Sequence, residues 1–150
     1  MQSIKIISVG KLKEKFYDQA AKEYIKRLSG SCKLEIIEVP EDKGDSLAKE
    51  GAAIETRIPA GALVVALCIE GREQGSKEFS DLIRDCAING TSKVCFIIGG
   101  SNGLHDDIKN RADIRLSMSK MTFPHNLARV MLLEQLYRAF NIAQGGKYHK

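Results

Sequence analysis

Residues 94 to 104 read Val-Cys-Phe-Ile-Ile-Gly-Gly-Ser-Asn-Gly-Leu, and this stretch decides the fold. Its first five residues are apolar without alternation, which is typical of a central strand in a parallel sheet covered by helices on both faces. The glycines that follow predict a sharp turn where that strand ends. A second apolar run of the same kind, Ala62 to Ile69, predicts a neighbouring central strand that ends at Glu70-Gly71.

Outward from these two runs, strand-like and helix-like segments alternate along the chain. Short β-rich runs at Ile4–Val9, Leu34–Val39 and Ile114–Leu116 predict three more strands. Apolar residues at helical spacing predict a helix that ends at Gly30, one around Leu47–Ile58, one capped by Ser76 and running through Ala87, a short one after Leu104, and a long one from about His125 to Ala143. This alternation indicates an open α/β sheet with helices on both faces, and we expect one domain over residues 1–150.

Composition and charge narrow the class of protein. The 150 residues are 43% hydrophobic and 28% charged, as in folded globular domains. No apolar run approaches 18 residues and no signal-peptide pattern stands at residues 1–5, so we expect a cytoplasmic protein without a membrane segment. The net charge is +4, but the last 42 residues carry eight basic and two acidic side chains. This basic final third indicates either a site for phosphates or a polyanion, or a solvated surface.

Cysteine and histidine spacing argues against a metal centre. The four cysteines form no C-x-x-C pair and the three histidines lack ligand spacing, so no metal is expected. Cys68 and Cys95 each interrupt an apolar run, where a thiol behaves as a small hydrophobe. We therefore expect both to be buried and reduced.

Ligands of open α/β sheets bind outside the carboxyl ends of the strands. The relevant loops follow Ile69, Ile98 and Leu116, and the third of these is Ser117 to Pro124. Glycines 99, 100 and 103 are reminiscent of a dinucleotide fingerprint, but Ile98 stands where its first glycine belongs and no ribose-binding acid follows. An oxidoreductase is thus disfavoured, and the glycines by themselves fit a tight turn or a close approach of backbone to a ligand.

Four segments together resemble the RlmH family of SPOUT-class methyltransferases, and the resemblance spans the whole chain. They are Phe96-Ile97-Ile98-Gly99-Gly100-Ser101-Asn102-Gly103-Leu104, Leu116-Ser117-Met118-Ser119-Lys120-Met121-Thr122-Phe123-Pro124-His125, Arg129 with Glu134-Gln135-Leu136-Tyr137-Arg138-Ala139, and Tyr148-His149-Lys150. The resemblance extends to the N-terminus through Val9-Gly10-Lys11-Leu12-Lys13 and Ile36-Ile37-Glu38-Val39-Pro40. The resemblance implies a C-terminal trefoil knot, a homodimer and S-adenosylmethionine as cofactor. It implies cofactor contacts at Leu67, Gly99, Met118, Ser119, Lys120, Met121, Thr122 and Phe123.

The activity implied by the resemblance is methylation of N3 of a pseudouridine in 23S ribosomal RNA, on assembled ribosomes. Two alternatives stay open: another SPOUT RNA methyltransferase, and an RNA-binding module without catalysis. Methyl transfer to a uracil-like nitrogen requires positioning of donor and acceptor and loss of the imide proton. His125 and Arg129, four residues apart near the start of the last helix, are candidates for that chemistry. The alternative is that His125 caps the helix and Arg129 pairs with a carboxylate.

The C-terminal tail supplies a second pair of candidates. After Gly145-Gly146, the chain ends Lys147-Tyr148-His149-Lys150, which combines cations, an aromatic ring and an imidazole. Cations neutralise RNA phosphates and an aromatic ring stacks on an extruded base. We therefore predict that Tyr148 or His149 contacts the target base, in the partner subunit's site if the chain dimerises. Glu134 and Arg138 are expected to form a structural or interface ion pair.

Overall fold

The computed structural model describes all 150 residues as five strands and five helices in strict alternation. Their bounds are β1 Ser3–Val9, α1 Lys15–Leu28, β2 Lys33–Val39, α2 Leu47–Glu55, β3 Leu63–Glu73, α3 Ser76–Ile88, β4 Lys93–Ile98, α4 Asp106–Arg111, β5 Ile114–Ser117 and α5 His125–Ala143. All strand pairs are parallel, in the order β2-β1-β4-β3-β5. The predicted α/β class is confirmed, and the trefoil knot stays a prediction.

Both faces of the sheet are covered, which explains why its central strands are apolar without alternation. On one face, Ile4, Ile6 and Phe96 pack with residues of α1, α3 and α5. On the other face, Ile7 and Ile97 pack with residues of α2 and α4. Cys95 is fully buried, as expected, and burial raises the pKa of its thiol to about 11.

Strand β3 differs from the sequence prediction at its end. Glu70-Gly71 does not end the strand, which continues to Glu73 after an irregularity in its pairing with β5 between Leu67 and Arg72. Gly71 faces the backbone of β5 so closely that a Cβ there would stand 2.8 Å from backbone atoms of Arg115 and Leu116. A glycine thus marks the close approach of two backbones rather than a turn.

Two helix boundaries also differ. Helix α2 ends at Glu55 and is followed by a turn, so the prediction of a helix reaching Ile58 was too long. Ser76 is the first residue of α3 rather than its cap, and Gly75 occupies the capping position. The Ser76 hydroxyl instead donates a hydrogen bond to Oε1 of Gln135 on α5, at 2.7 Å. This bond joins α3 to α5, which the local sequence gives no means of anticipating.

Candidate functional site

A cleft of about 740 Å³ lies at the carboxyl ends of β3, β4 and β5, where the sequence predicted a ligand site. Its volume is within the usual range for small-molecule sites. Residues from five segments line it: Leu67 to Glu70 of β3, Ile98 to Leu104 at and after the end of β4, Lys109 of α4, Leu116 to Ser119 and Met121 to Pro124 at and after the end of β5, and His125 with Ala128 of α5. Apolar side chains form much of the wall, and hydroxyl and backbone groups stand among them.

The glycine loop, residues 99–103, forms one wall of the cleft and is held in shape from both sides. Gly100 and Gly103 form an isolated bridge, and a Cβ added at Gly99 would collide with the carbonyl of Gly103. The loop is also held from the β2–α2 connection, where Glu41 Oε1 accepts a hydrogen bond from the Ser101 hydroxyl at 3.0 Å. Gly99 therefore has a packing reason to be glycine whether or not a ligand approaches it.

The second wall is the loop after β5, which is organised by its own serines. The Ser117 hydroxyl donates to the Ser119 carbonyl at 2.8 Å, and the Met121 amide donates to Ser119 Oγ at 3.0 Å. These bonds fold residues 117–121 into a compact turn. Pro124 then occupies the capping position of α5, so the long helix begins at His125 as predicted.

The structure brings together seven of the eight cofactor residues implied by the resemblance. Lining the cleft are Leu67, Gly99, Met118, Ser119, Met121, Thr122 and Phe123. Lys120 is the exception, because it belongs to the same loop but is exposed and does not line the cleft. Three separate chain segments thus converge on one concave surface.

Four titratable side chains line the cleft, and the surroundings of three of them determine the direction in which their pKa values shift. Lys109 Nζ lies 2.5 Å from Glu70 Oε1, and this ion pair lowers the pKa of the carboxyl and raises that of the amine. Cys68 is partly exposed here, contrary to the expectation that it is buried, and partial burial raises the pKa of its thiol. His125 is the fourth, and its imidazole lies on the cleft wall without an ion-pair partner.

Arg129 does not reach the cleft. Its side chain is only 4% exposed, and Nη1 donates to Glu38 Oε2 at 2.7 Å while Nη2 donates to the Gly10 carbonyl at 3.0 Å. The sequence left open whether Arg129 takes part in the chemistry or pairs with a carboxylate, and in this chain Arg129 pairs with a carboxylate. His125, in contrast, makes no side-chain cap bond and lies on the cleft wall.

The C-terminal tail folds back onto the far end of α5. The Tyr148 amide donates to Asn141 Oδ1 at 3.1 Å, and its ring packs edge-on against Tyr137 with centroids 4.8 Å apart. Arg138 lies over that ring and its Nη1 lies 3.0 Å from His149 Nδ1. A guanidinium only donates, so Nδ1 is the acceptor in this contact. Neither Tyr148 nor His149 lines the cleft of its own chain.

The predicted pair of Glu134 and Arg138 is present, with Nε 2.7 Å from Oε1. The ion pair raises the pKa of the Arg138 guanidinium, so its charge is permanent. It orients Arg138 toward both tail residues. The pair therefore supports the position of the tail.

Sequence reasoning missed Glu38 and Glu41. Both lie near the carboxyl end of β2, since Glu38 is the second-last residue of that strand and Glu41 lies just beyond its end. Carboxylates at the carboxyl end of a strand were a usable signal, since that edge of the sheet is where ligand sites form. Their partners, Arg129 and Ser101, are 91 and 60 residues away, so the contacts themselves were not readable.

No helix of the structure has the length and apolar character that a membrane span requires. No group of three or more histidine, cysteine, aspartate or glutamate side chains is placed to hold a metal ion.

Comparison with known proteins identifies the family. A family model described as "Predicted SPOUT methyltransferase" matches residues 1–149. Proteins named ribosomal RNA large subunit methyltransferase H from two strains of Clostridium botulinum, 657 and Kyoto, are 52% and 51% identical to this chain, each with 99% of both chains covered. A protein named ribosomal RNA large subunit methyltransferase H 1 from Clostridium perfringens SM101 is 49% identical over the same share of both chains.

Two solved structures share the fold. A probable methylase family protein from Haemophilus influenzae matches at a TM-score of 0.59 with 15% identity, covering 98% of this chain and 70% of the other. A probable methyltransferase from Bordetella pertussis matches at 0.61 with 13% identity, covering 93% and 94%. At these identities the likeness concerns the arrangement of the backbone alone.

Proposed function

Because the chain belongs to the ribosomal RNA large subunit methyltransferase H family of SPOUT methyltransferases, we propose that it methylates large-subunit ribosomal RNA. The specific reaction we propose is transfer of a methyl group from S-adenosylmethionine to N3 of a pseudouridine in 23S ribosomal RNA. The observation that carries the proposal is the cleft at the strand ends, where seven residues matched from the family resemblance converge.

The residues of the cleft fit S-adenosylmethionine. A cleft of about 740 Å³ has room for a nucleoside with an amino-acid arm, and its apolar wall suits a purine. Glu70 and Lys109 neutralise each other, so the pair adds no net charge beside a ligand that carries a sulfonium, an ammonium and a carboxylate. Leu67, Met118 and Phe123 would hold the flat base, and the hydroxyls and backbone of the two loops would bind its polar groups.

S-adenosylmethionine, when bound, supplies an electrophilic methyl group on a sulfonium. The chain itself contributes positioning, since the glycine loop and the loop after β5 are each fixed by internal bonds before any ligand arrives. Pre-formed geometry of this kind is the main source of rate in a direct methyl transfer. His125 is the cleft residue suited to accept the N3 proton, because the other titratable groups there are paired or hold their protons.

Arg129 acts in this proposal as a positioning residue. It ties the first turns of α5 to the ends of β1 and β2 through Gly10 and Glu38, and so fixes where His125 stands. Tyr148 and His149 contact the target base in the partner subunit of a homodimer, since neither reaches the cleft of its own chain. Cytoplasmic location and action on assembled ribosomes complete the proposal.

Transfer of labelled methyl from S-adenosylmethionine to RNA tests the function directly. We expect label in 23S ribosomal RNA at one pseudouridine, with whole ribosomes a better substrate than isolated large subunits or free RNA. Cofactor binding is measured separately by calorimetry with Thr122→Trp, which places a large ring in the cleft and should weaken binding at least about tenfold.

Lys120→Trp is the matched control, because it adds the same ring to the same loop outside the cleft. Equal cofactor affinity of the two variants would remove the loop after β5 from the cofactor site. Binding of RNA without any transfer of label would favour the non-catalytic RNA-binding module. Gly99→Val is a poor test, since its side chain would collide with Gly103 even in the absence of a ligand.

A further inference from the structure

We propose that the β1–α1 loop, residues 10–14, is an RNA-binding arm in which Lys11 and Lys13 contact backbone phosphates beside the target nucleotide. The inference rests on the proposed function, because it places these phosphates next to the methyl-transfer cleft. It adds a binding surface that lies outside the basic final third of the chain and outside the C-terminal tail.

The loop is built as a rigid arm, anchored at both ends to the start of α5. At its first residue, the Gly10 amide donates to the Val39 carbonyl at 2.8 Å and the Gly10 carbonyl accepts from buried Arg129. At its last residue, Glu14 Oε2 accepts from the Asn126 side chain at 3.2 Å. Gly10 has φ of +89°, a conformation that favours glycine, so the direction of the turn is fixed as well.

Side chains in the loop alternate between inward and outward positions. Leu12 packs against the core, whereas Lys11 and Lys13 on either side of it are exposed. Two residues of extended chain span at most about 7 Å, so the two lysine side chains leave the backbone close together. A pair of cations on a fixed backbone is suited to two phosphates of one strand.

The arm lies beside the cleft because His125 is its neighbour. The Nε2 atom of His125 is 4.0 Å from the position that a Cβ would have at Gly10, and His125 itself lines the cleft. The β1 strand also ends at the same edge of the sheet as β3, β4 and β5, since all strands are parallel. A nucleotide presented to the cleft would therefore have its backbone within reach of this loop.

The two lysines form no ion pair with a carboxylate, in contrast to four other lysines of the chain. Lys5, Lys22, Lys77 and Lys109 each form an ion pair with a carboxylate, and Lys11 and Lys13 form none. The one acid of the loop, Glu14, is directed to Asn126 instead. Uncompensated cations on a fixed surface are what a polyanion binds, with release of its counterions.

The opposite edge of the sheet provides a matched control. Lys33 and Lys93 begin β2 and β4, and both pair in register with Ser3 of β1, so they flank one position of the strand between them. Both are exposed and neither forms an ion pair. The double variant Lys33→Gln, Lys93→Gln removes the same charge as Lys11→Gln, Lys13→Gln, at the edge away from the cleft.

The experiment measures methyl transfer by both double variants on ribosomes that lack the modification, as a function of salt. Loss of two phosphate contacts should lower the log–log salt slope by about 1.4 and raise KM about 25-fold at 0.1 M salt. We expect kcat at saturating ribosomes and the affinity for S-adenosylmethionine to be unchanged in the loop variant. The control variant should match the wild type, and equal melting temperatures establish that both fold.

Binding of a fluorescent, protein-free RNA hairpin at low salt is the second measurement. Weaker binding by the loop variant than by the control supports the proposal, even if the wild type transfers no methyl group and the proposed function fails. Equal KM and equal hairpin affinity of the two double variants would overturn the proposal that residues 10–14 are an RNA-binding arm, while leaving the proposed function intact. A KM difference on ribosomes with equal hairpin binding would mean that the lysines contact a ribosomal protein, which also overturns it.

Discussion

The two ends of helix α5 have opposite environments. At its N-terminal end, Arg129 is buried and holds a carboxylate and a carbonyl, and His125 lines the cleft. At its C-terminal end, Arg138 is partly exposed and holds the tail through Tyr148 and His149. One arginine thus fixes the helix to the sheet, and the other fixes a terminal segment to the helix.

The distance between these two ends explains the division of roles. Arg138 lies thirteen positions after His125, which is about 20 Å of helix. A tail held at Arg138 therefore stands far from the cleft at His125 in the same chain. His125 and the tail residues Tyr148 and His149 lie within 25 positions of one another in the sequence but on two separate surfaces of this chain. The homodimer proposed above would bring the two surfaces together.

The largest expected effect tests the N-terminal end. Arg129→Leu leaves Glu38 unpaired and the Gly10 carbonyl without a donor, and we expect a loss of about 3 kcal/mol in the free energy of unfolding. Urea denaturation measures it. This loss is at the low end of the range for buried pairs because the Glu38 side chain is 37% exposed and can be rehydrated.

A double-mutant cycle with Glu38→Leu separates the ion pair from packing. The double variant should lose less stability than the sum of the two single variants, because the pair is already absent in each. A loss below about 1 kcal/mol for Arg129→Leu would show that the buried pair of Arg129 and Glu38 adds little to the free energy of unfolding. Arg129 and Arg138 would then not differ in their contribution to stability.

The second prediction concerns the tail. Deletion of residues 148–150 should reduce methyl transfer about 30-fold, or about 2 kcal/mol, if an aromatic contact to the base is lost. Cofactor binding should be unchanged, since the tail does not line the cleft. In the proposed homodimer, mixing this variant with Thr122→Trp should restore up to about a quarter of wild-type activity, because each mixed dimer would have one intact cleft facing one intact tail.

A mixture no more active than either variant alone would place the tail in the cleft of its own chain. Unchanged activity of the deletion variant would remove Tyr148 and His149 from the site altogether. The mixing experiment therefore distinguishes a tail that acts across the dimer from one that acts locally and from one that does not act.

The smallest expected effect belongs to the ion pair at the C-terminal end. Glu134→Gln removes a partly buried contact between residues four apart on α5, and we expect a loss of about 0.5 kcal/mol in stability. Thermal unfolding measures the change. The exposed pair of Asp18 and Lys22 on α1 has the same spacing, so Asp18→Asn is its control. A loss comparable to that of Arg129→Leu would show that the two ends of α5 are equally structural.

Much of the fold was readable because local patterns determine it. The apolar runs of β3 and β4 predicted central parallel strands, and the residues after Ile98 and Leu116 predicted the walls of the cleft. The end of β3 was misread, because Glu70-Gly71 has the composition of a turn. What continues the strand is the approach of the β5 backbone to Gly71, and no residue nearby in sequence indicates it.

The sequence by itself determined the elements, their order and the edge of the sheet where the cleft forms, because periodicity and glycine placement act over a few residues. The pair of Glu134 and Arg138, four residues apart on α5, was also predicted from the sequence. Only the tertiary structure decided the partners of charged groups that come from distant segments. It placed Arg129 on Glu38, Glu41 on Ser101 and Arg138 on the tail. The physical reason is that these contacts join side chains from segments that lie apart in the sequence. Which of these side chains meet is settled only when the chain has folded.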